Sequence, residues 1–149
     1  MPRITIKPGY IFRFPTEAER HGYCQWLPHD ARIFLISTAD ELSTSAIVEL
    51  PVAFRIMVFR DTPGRYGWTK VGAAPVPDDY TEPQTFAKQD PINGKISKYR
   101  VGQEIPASYS EVAGLETVAA WAHPHIVERL LAKLAGKPSK FLLSVQVKP

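Results

Sequence analysis

Prolines and glycines interrupt the first two thirds of the chain so often that short strands and turns are the structures that fit there. Most of the 14 prolines and 9 glycines of this 149-residue chain lie in that part, with short apolar runs between them. Proline cannot donate a hydrogen bond to a sheet, and glycine tolerates positive φ in turns. Helical periodicity is almost absent there, so the pattern predicts a domain built mainly from strands.

The strand predicted most clearly covers residues 52–59, whose apolar face carries Phe54, Ile56 and Val58 at period-two spacing. Residues 61–65 have the composition of a turn, so we expect a hairpin between this strand and a returning one at 66–71. Residues 74–94 are rich in proline and are expected to form a long ordered loop. Further strands are predicted over residues 9–14, 25–28, 31–36, 96–99, 103–105 and 116–121.

One strong helix is predicted near the C-terminal end, beginning near Pro124 and ending at Gly136. Its apolar residues recur at helical spacing and indicate one buried face: Ile126, Val127, Leu130, Leu131 and Leu134. After it, the alternation of Phe141, Leu143, Val145 and Val147 predicts a closing strand over 141–147.

Together these elements predict a single α+β domain over residues 1–149. We expect a mostly antiparallel, strongly curved sheet, or a partly open small barrel, with one C-terminal amphipathic helix. The three tryptophans, Trp26, Trp68 and Trp121, lie in apolar segments and are predicted to be buried. The strand face and the helix stripe both need an apolar partner, so a shared core is predicted for Phe54, Ile56, Trp68, Trp121, Leu130 and Leu134.

Charge and cysteine content exclude several classes of protein. The formal net charge is +3, with 18 basic residues offset by 15 acidic ones, and no run of like charge stands out. The single cysteine argues against a disulfide framework, and no segment has the length of a signal peptide core or a membrane span. We therefore expect a cytoplasmic location and no membrane partner. The sequence still allows a basic surface patch in the folded chain, formed from Arg55, Arg60, Arg65, Lys70, Lys88 and Lys98.

Few residues have the spacing of an active site. Cys24 lies between His21 and His29, as in a thiol activated by imidazole, but no orienting group or oxyanion pocket accompanies them. His123 and His125 lack the further ligands of a metal site. The acidic residues Asp78, Asp79, Glu82 and Asp90 lack the turn glycine of a calcium loop, and the glycines at 64, 67 and 72 lack phosphate-loop spacing. We predict no catalytic residue, no cofactor, no metal and no small-molecule substrate.

Three stretches of sequence carry a family resemblance. The first is Lys7-Pro-Gly-Tyr-Ile-Phe-Arg-Phe-Pro15, and the second joins 54–58 to the Trp-containing segment 64–72. The third runs from Phe86-Ala-Lys-Gln-Asp-Pro91 through Tyr99-Arg-Val-Gly-Gln-Glu104 and Gly114-Leu-Glu116 to the helix at 127–130. In order and spacing they resemble the immunity protein 26 family of bacterial polymorphic toxin systems. Tyr10 and Ala113 depart from the family pattern, at positions that look structural.

The resemblance implies a protein that is made beside a toxin and binds this cognate toxin domain in the cytoplasm of the producing cell. Neutralisation would come from occluding the toxin's active site or substrate groove, without chemistry of its own. Two alternatives remain open from the residues: a basic nucleic-acid-binding small barrel and a hydrolase that uses Cys24. Salt separates the first from a protein binder, because counterion release makes nucleic-acid affinity fall steeply with salt.

The loop over residues 75–89 is the predicted partner-binding site. Its tip places Asp78, Asp79 and Glu82 around one aromatic side chain, Tyr80, and its prolines leave little entropy to lose on binding. The alternative is that this loop only crosses the outside of the sheet. Glu116 and Arg129 are predicted to be structural, orienting the last strand against the helix.

Overall fold

The computed structural model describes residues 4–149 and contains nine strands, five α-helices and one 3-10 turn at Asp78–Tyr80. The strands are β1 Tyr10–Glu17, β2 Arg20–Trp26, β3 Ala31–Phe34, β4 Val52–Val58, β5 Thr69–Ala73, β6 Phe86–Gln89, β7 Ile96–Arg100, β8 Gln103–Pro106 and β9 Ala120–Trp121. The helices are α1 Thr44–Val48, α2 Thr62–Arg65, α3 Tyr109–Val112, α4 His123–Leu134 and α5 Lys140–Val145.

Six strands form the larger sheet in the order β5-β1-β2-β3-β4-β9. Strands β1 to β4 run as an antiparallel meander, β5 returns antiparallel to β1, and β9 pairs in parallel with β4. The prediction of an α+β fold with a mainly antiparallel sheet is confirmed. Over residues 4–149 the strand order stays open, so the sheet is no closed barrel.

The predicted hairpin between 52–59 and 66–71 is wrong. Residues 62–65 form the short helix α2 instead of a hairpin turn over 61–65, and β5 pairs with β1 rather than with β4. The ring of Trp68, just before β5, stacks on Phe14 of β1 with ring centroids 4.8 Å apart. Burial of this tryptophan against β1 therefore determines the partner of β5, a long-range contact that local turn composition cannot reveal.

The second sheet is antiparallel, in the order β6-β7-β8. The predicted loop over 74–94 therefore ends sooner than expected, because β6 begins at Phe86. The segment 116–121, predicted as one strand, joins the two sheets. Its Thr117 bridges Ala87 of β6, and its last two residues form β9 against β4.

Apolar side chains are buried on both faces of the six-stranded sheet. One core, covered by α4 and α5, contains the predicted Phe54, Ile56, Trp68, Trp121 and Leu130 together with Trp26. The opposite core lies under α1 and contains Ile11, Tyr23, Phe34 and Ile47. The prediction is wrong for Leu134, which does not belong to this core. It is 44% exposed in the last turn of α4, beyond the buried Ile126 and Leu130.

The predicted closing strand over 141–147 is also wrong, because α5 occupies residues 140–145. Ser139 caps this helix by accepting a hydrogen bond from the backbone N–H of Leu142 at 3.2 Å. The carboxylate of Glu128 in α4 accepts hydrogen bonds from the Ser139 hydroxyl at 2.6 Å and from the Phe141 N–H at 3.1 Å. Ser139 and Glu128 thus accept hydrogen bonds from N–H groups that the first turn of α5 leaves without intrahelical partners, and two helices close the chain instead of one.

Truncation of Leu130 measures how far α4 supports the core. Leu130 is fully buried and packs over Gly22 of β2, where an added Cβ would lie 3.2 Å from a Leu130 methyl carbon. We expect Leu130→Ala to lower the free energy of unfolding by about 2 to 5 kcal/mol, through lost burial and a cavity.

Denaturant melts provide the measurement, with Leu134→Ala as the matched control because that leucine is 44% exposed on the same helix. The control is expected to cost much less. Equal costs for the two truncations would contradict the placement of α4 against the sheet.

Candidate functional site

Cys24 does not form a thiolate site. Its side chain is completely buried on the α4 side of the sheet, and this burial raises the pKa of the thiol to about 12. His21 lies elsewhere, with its Nε2 atom 3.0 Å from the Tyr23 hydroxyl and 2.7 Å from the Asp40 carbonyl oxygen. A thiol held neutral and away from imidazole lacks the activation that a nucleophile needs.

His123 and His125 pack against aromatic rings at the start of α4. The Nδ1 atom of His123 accepts a hydrogen bond from the Trp68 indole N–H at 3.0 Å, and its ring stacks on Tyr66 at 4.8 Å. His125 stacks on Phe141 at 3.7 Å. Among residues 4–149, no group of three or more His, Cys, Asp or Glu side chains is placed to hold a metal ion.

Glu116 and Arg129 form a two-hydrogen-bond ion pair at the junction of the two sheets and α4. Arg129 Nη2 donates to Glu116 Oε2 at 2.9 Å, and a second bond joins Nη1 to Oε1. The guanidinium also lies over the rings of Phe54 and Trp121, at 4.1 and 4.8 Å. This geometry fits the predicted role of orienting the chain after 116 against the helix.

The basic residues of the possible patch do not form one free cluster. Arg55, Lys88 and Lys98 are each paired with a carboxylate, from Asp30, Glu104 and Glu111 respectively. Lys70 lies over the ring of Tyr10 and Arg65 over that of Tyr66, with distances of 3.6 and 5.8 Å to the ring centroids. Half of the six charges are thus already neutralised within the fold.

A row of polar side chains crosses the opposite face of the larger sheet. Gln25, Arg32 and Arg55 are direct neighbours in the register of β2, β3 and β4. Arg32 Nε donates to Gln25 Oε1 at 2.9 Å, and Gln25 Nε2 donates to the carbonyl oxygen of Ala74 at 3.0 Å. Arg55 Nε donates to Asp30 at 2.9 Å. Burial raises the pKa of Asp30, and the hydrogen bond and charge of Arg55 oppose that rise.

Arg32 has no carboxylate partner of this kind in the described part of the chain. The residue is 4% exposed, the nearby carboxylate of Asp30 pairs with Arg55, and Arg32 Nη2 has no hydrogen-bond partner among residues 4–149. Desolvation lowers the pKa of its guanidinium, and the Tyr80 side chain partly opposes that fall. Its face is covered by two rings, those of Phe34 at 4.8 Å and Tyr80 at 4.9 Å.

The predicted binding loop crosses this polar row. Arg55 Nη2 donates to the carbonyl oxygen of Glu82 at 2.6 Å, and Gln84 Nε2 donates to Asp30 at 3.1 Å and to the Arg55 carbonyl oxygen at 3.2 Å. Tyr80 lies over Arg32 and also over Arg55, at 5.5 Å. The loop is thereby fixed to the sheet.

All four predicted site residues lie together on this loop. Asp78 and Asp79 are exposed in the 3-10 turn, Tyr80 is half-buried, and Glu82 is exposed with a carboxylate oxygen 3.7 Å from Arg100 Nη2. Asp90 is separate from them, because its Oδ1 caps the turn between β6 and β7 by accepting from the Ile92 and Asn93 N–H groups at 2.7 and 3.1 Å.

The sequence pattern does not identify the supporting residues Arg32, Arg55 and Gln84. Both arginines alternate with apolar residues along their strands, which is the pattern of a solvent-facing position.

Comparison with known families supports the sequence resemblance. The sequence model of the family described as Immunity protein 26 matches residues 7–98. The chain belongs to the immunity protein 26 family. Searches among curated proteins and among solved structures return no match. The matched region contains β1 to β6 and the whole of the loop that carries Tyr80.

The region after 98, with β8, α4 and α5, lies outside the match. Within residues 4–149, no helix has the length and apolar character needed to cross a membrane.

Titration of His123 is expected to make the fold weaken in mild acid. Burial lowers the pKa of His123 below its ordinary value, so between the two pKa values the unfolded chain binds more protons than the folded one. Protonation also removes the lone pair that accepts the Trp68 N–H. The contribution of neutral His123 is thus complete above about pH 6.5 and is lost as pH falls through the lower folded pKa.

Denaturant melts between pH 7.5 and pH 5 test this. His123→Phe should show a shallower fall of unfolding free energy than the unmodified chain. Identical slopes for the two proteins would contradict it.

Proposed function

We propose that this chain binds a toxin made by the same cell and neutralises it by occluding its active site or substrate groove. The observation that carries the proposal is the family match over residues 7–98. The partner is a protein, the toxin domain, and the protection takes place in the cytoplasm of the producing cell. No catalytic residue of the chain takes part, and binding alone accounts for the effect.

The loop around Tyr80 is our proposed partner-binding site, with Asp78, Asp79, Tyr80 and Glu82 as its contact residues. It supports this role because it is tied to the sheet on both sides of Tyr80, by Gln25 to Ala74 and by Arg55 to Glu82. A loop that is already ordered loses little entropy on binding.

Charge favours a particular kind of groove in the toxin. The exposed carboxylates of Asp78 and Asp79 have no ion-pair partner within residues 4–149, so they are free to meet positive charge. A toxin that acts on nucleic acids keeps a positively charged groove, in which carboxylates speed encounter and exclude the substrate. The exposed part of Tyr80 adds apolar contact area.

Calorimetry with the toxin domain encoded beside this chain tests the function. We expect saturable binding that abolishes the toxin's activity at equal concentration and that persists from low to physiological salt. Binding of DNA or RNA instead, with affinity falling steeply as salt rises, would contradict the proposal and favour a nucleic-acid binder. Absence of any binding to the toxin domain would also contradict it.

Substitutions in the loop test the interface. Tyr80→Ala is expected to weaken toxin binding by more than about 2 kcal/mol, as for an aromatic hot spot. Tyr109→Ala, at a tyrosine 41% exposed on α3, is the matched control and should leave affinity unchanged.

The carboxylates act at an earlier step of the same encounter. Asp79→Ala is expected mainly to slow association at low salt, measured by stopped flow, with a smaller effect at high salt. Unchanged affinity in the Tyr80→Ala, Asp79→Ala double variant would exclude the loop as the interface and leave the toxin-binding function standing.

A further inference from the structure

Arg32 is buried without a carboxylate partner among residues 4–149. It is a buried cation whose strongest polar partner is the neutral amide of Gln25, and its Nη2 has no acceptor within residues 4–149. A buried donor without an acceptor and a buried charge without a counter-charge both destabilise the folded state. An apolar side chain of similar length at this position would avoid both costs, but it would leave the buried Gln25 Oε1 without its donor.

What Arg32 does contact is the ring of the proposed anchor residue. The guanidinium carbon lies 4.9 Å from the Tyr80 ring centroid and 4.8 Å from that of Phe34 on the same strand. A desolvated cation held against a ring face gives a stronger cation–π interaction than one in water. The planar guanidinium also stacks on a ring, which an ammonium group cannot do.

We infer that Arg32 is a positioning residue for the partner-binding surface, holding Tyr80 and the 3-10 turn Asp78–Tyr80 in the conformation that the toxin recognises. This inference rests on the proposed function and identifies the contact that orders the partner-binding loop before the toxin binds. Because Asp78, Asp79 and Tyr80 belong to one turn, fixing the ring also fixes where the two carboxylates point relative to the sheet.

The neighbouring contacts explain why Arg32 has a role separate from that of Arg55. Arg55 is bound to Asp30 and to the Glu82 carbonyl oxygen, so it secures the loop after the turn and has a charge partner of its own. Its guanidinium carbon also lies over the Tyr80 ring, but at 5.5 Å from the centroid, farther than that of Arg32. The turn itself is closed by short-range bonds from the Tyr80 and Thr81 N–H groups, to Pro77 at 2.9 Å and to Asp78 at 3.2 Å. Arg32 alone joins the ring of Tyr80 to β3.

Arg32→Met is the decisive variant. It should melt near the temperature of the unmodified chain, because removal of a buried charge without a counter-charge offsets the loss of the donor to the buried Gln25 Oε1. Its affinity for the toxin domain encoded beside the chain should fall about tenfold, within the range expected for loss of one desolvated cation–π contact. Amide hydrogen exchange of Tyr80 and Thr81 should become faster.

Two further variants separate positioning from a general effect. Arg65→Met removes a similar arginine from the ring of Tyr66, away from the loop, and should leave toxin affinity unchanged. Arg32→Lys keeps the cation but loses the planar stack, and should recover part of the affinity. If Arg32→Met does not fold, lowered affinity of Arg32→Lys at an unchanged melting temperature still supports the inference, and unchanged affinity overturns it.

The outcomes distinguish this inference from the proposed function. Unchanged affinity in Arg32→Met, with the unmodified chain binding tightly, would overturn the positioning role and leave the immunity function intact. A loss of affinity that simply follows a loss of folded protein in both Arg32 variants would also overturn it. Failure of the unmodified chain to bind the toxin domain would overturn the proposed function and this inference together.

Discussion

The parallel pairing of β9 with β4 is the contact on which the rest of the arrangement depends. It involves only two residue pairs, Met57 with Ala120 and Val58 with Trp121, yet the residues on both sides of β9 have separate partners. The preceding Thr117 bridges to β6, and α4 begins two residues after Trp121. One short segment therefore attaches the smaller sheet and the covering helix to the larger sheet. Burial of Trp121, at 1% exposure, gives this pairing the apolar contact that two ladder pairs alone lack.

The sequence predicts elements more reliably than their partners. The period-two pattern around Ile56 and the helical stripe around Leu130 each identify an element, because both patterns reflect which side of one segment is buried. Pairing is a different matter: β5 follows α2 in the chain but lies beside β1, because the ring of Trp68 is buried there. A short apolar segment such as 140–145 fits both the strand period of two and the helical period of 3.6. The caps supplied by Ser139 and Glu128 favour the helix.

Of the candidate site, the sequence identified the exposed loop but not the side chains beneath it. Prolines and carboxylates mark the loop around Tyr80 in the sequence, since both act through local conformation and exposure. Arg32 and Arg55 look like solvent-facing residues of a half-buried strand, and no neighbouring residue in the sequence indicates that the Tyr80 loop packs over them. Their burial depends on a loop that returns some tens of residues later, and Gln84 meets Asp30 across a separation of 54 residues. Such polar contacts leave no periodic trace in the sequence.

The complete burial of Cys24 gives the molecule an internal reporter. Its sulfur lies within the core between the sheet and α4, and that burial raises the pKa of the thiol to about 12. A thiol reagent added to the native protein can react only in the rare moments when the sheet and the helix separate. The rate of labelling therefore counts global openings, as slow amide exchange does in the core of a cooperative unit. Loosening of the Tyr80 loop, on the other face of the sheet, would leave that rate unchanged.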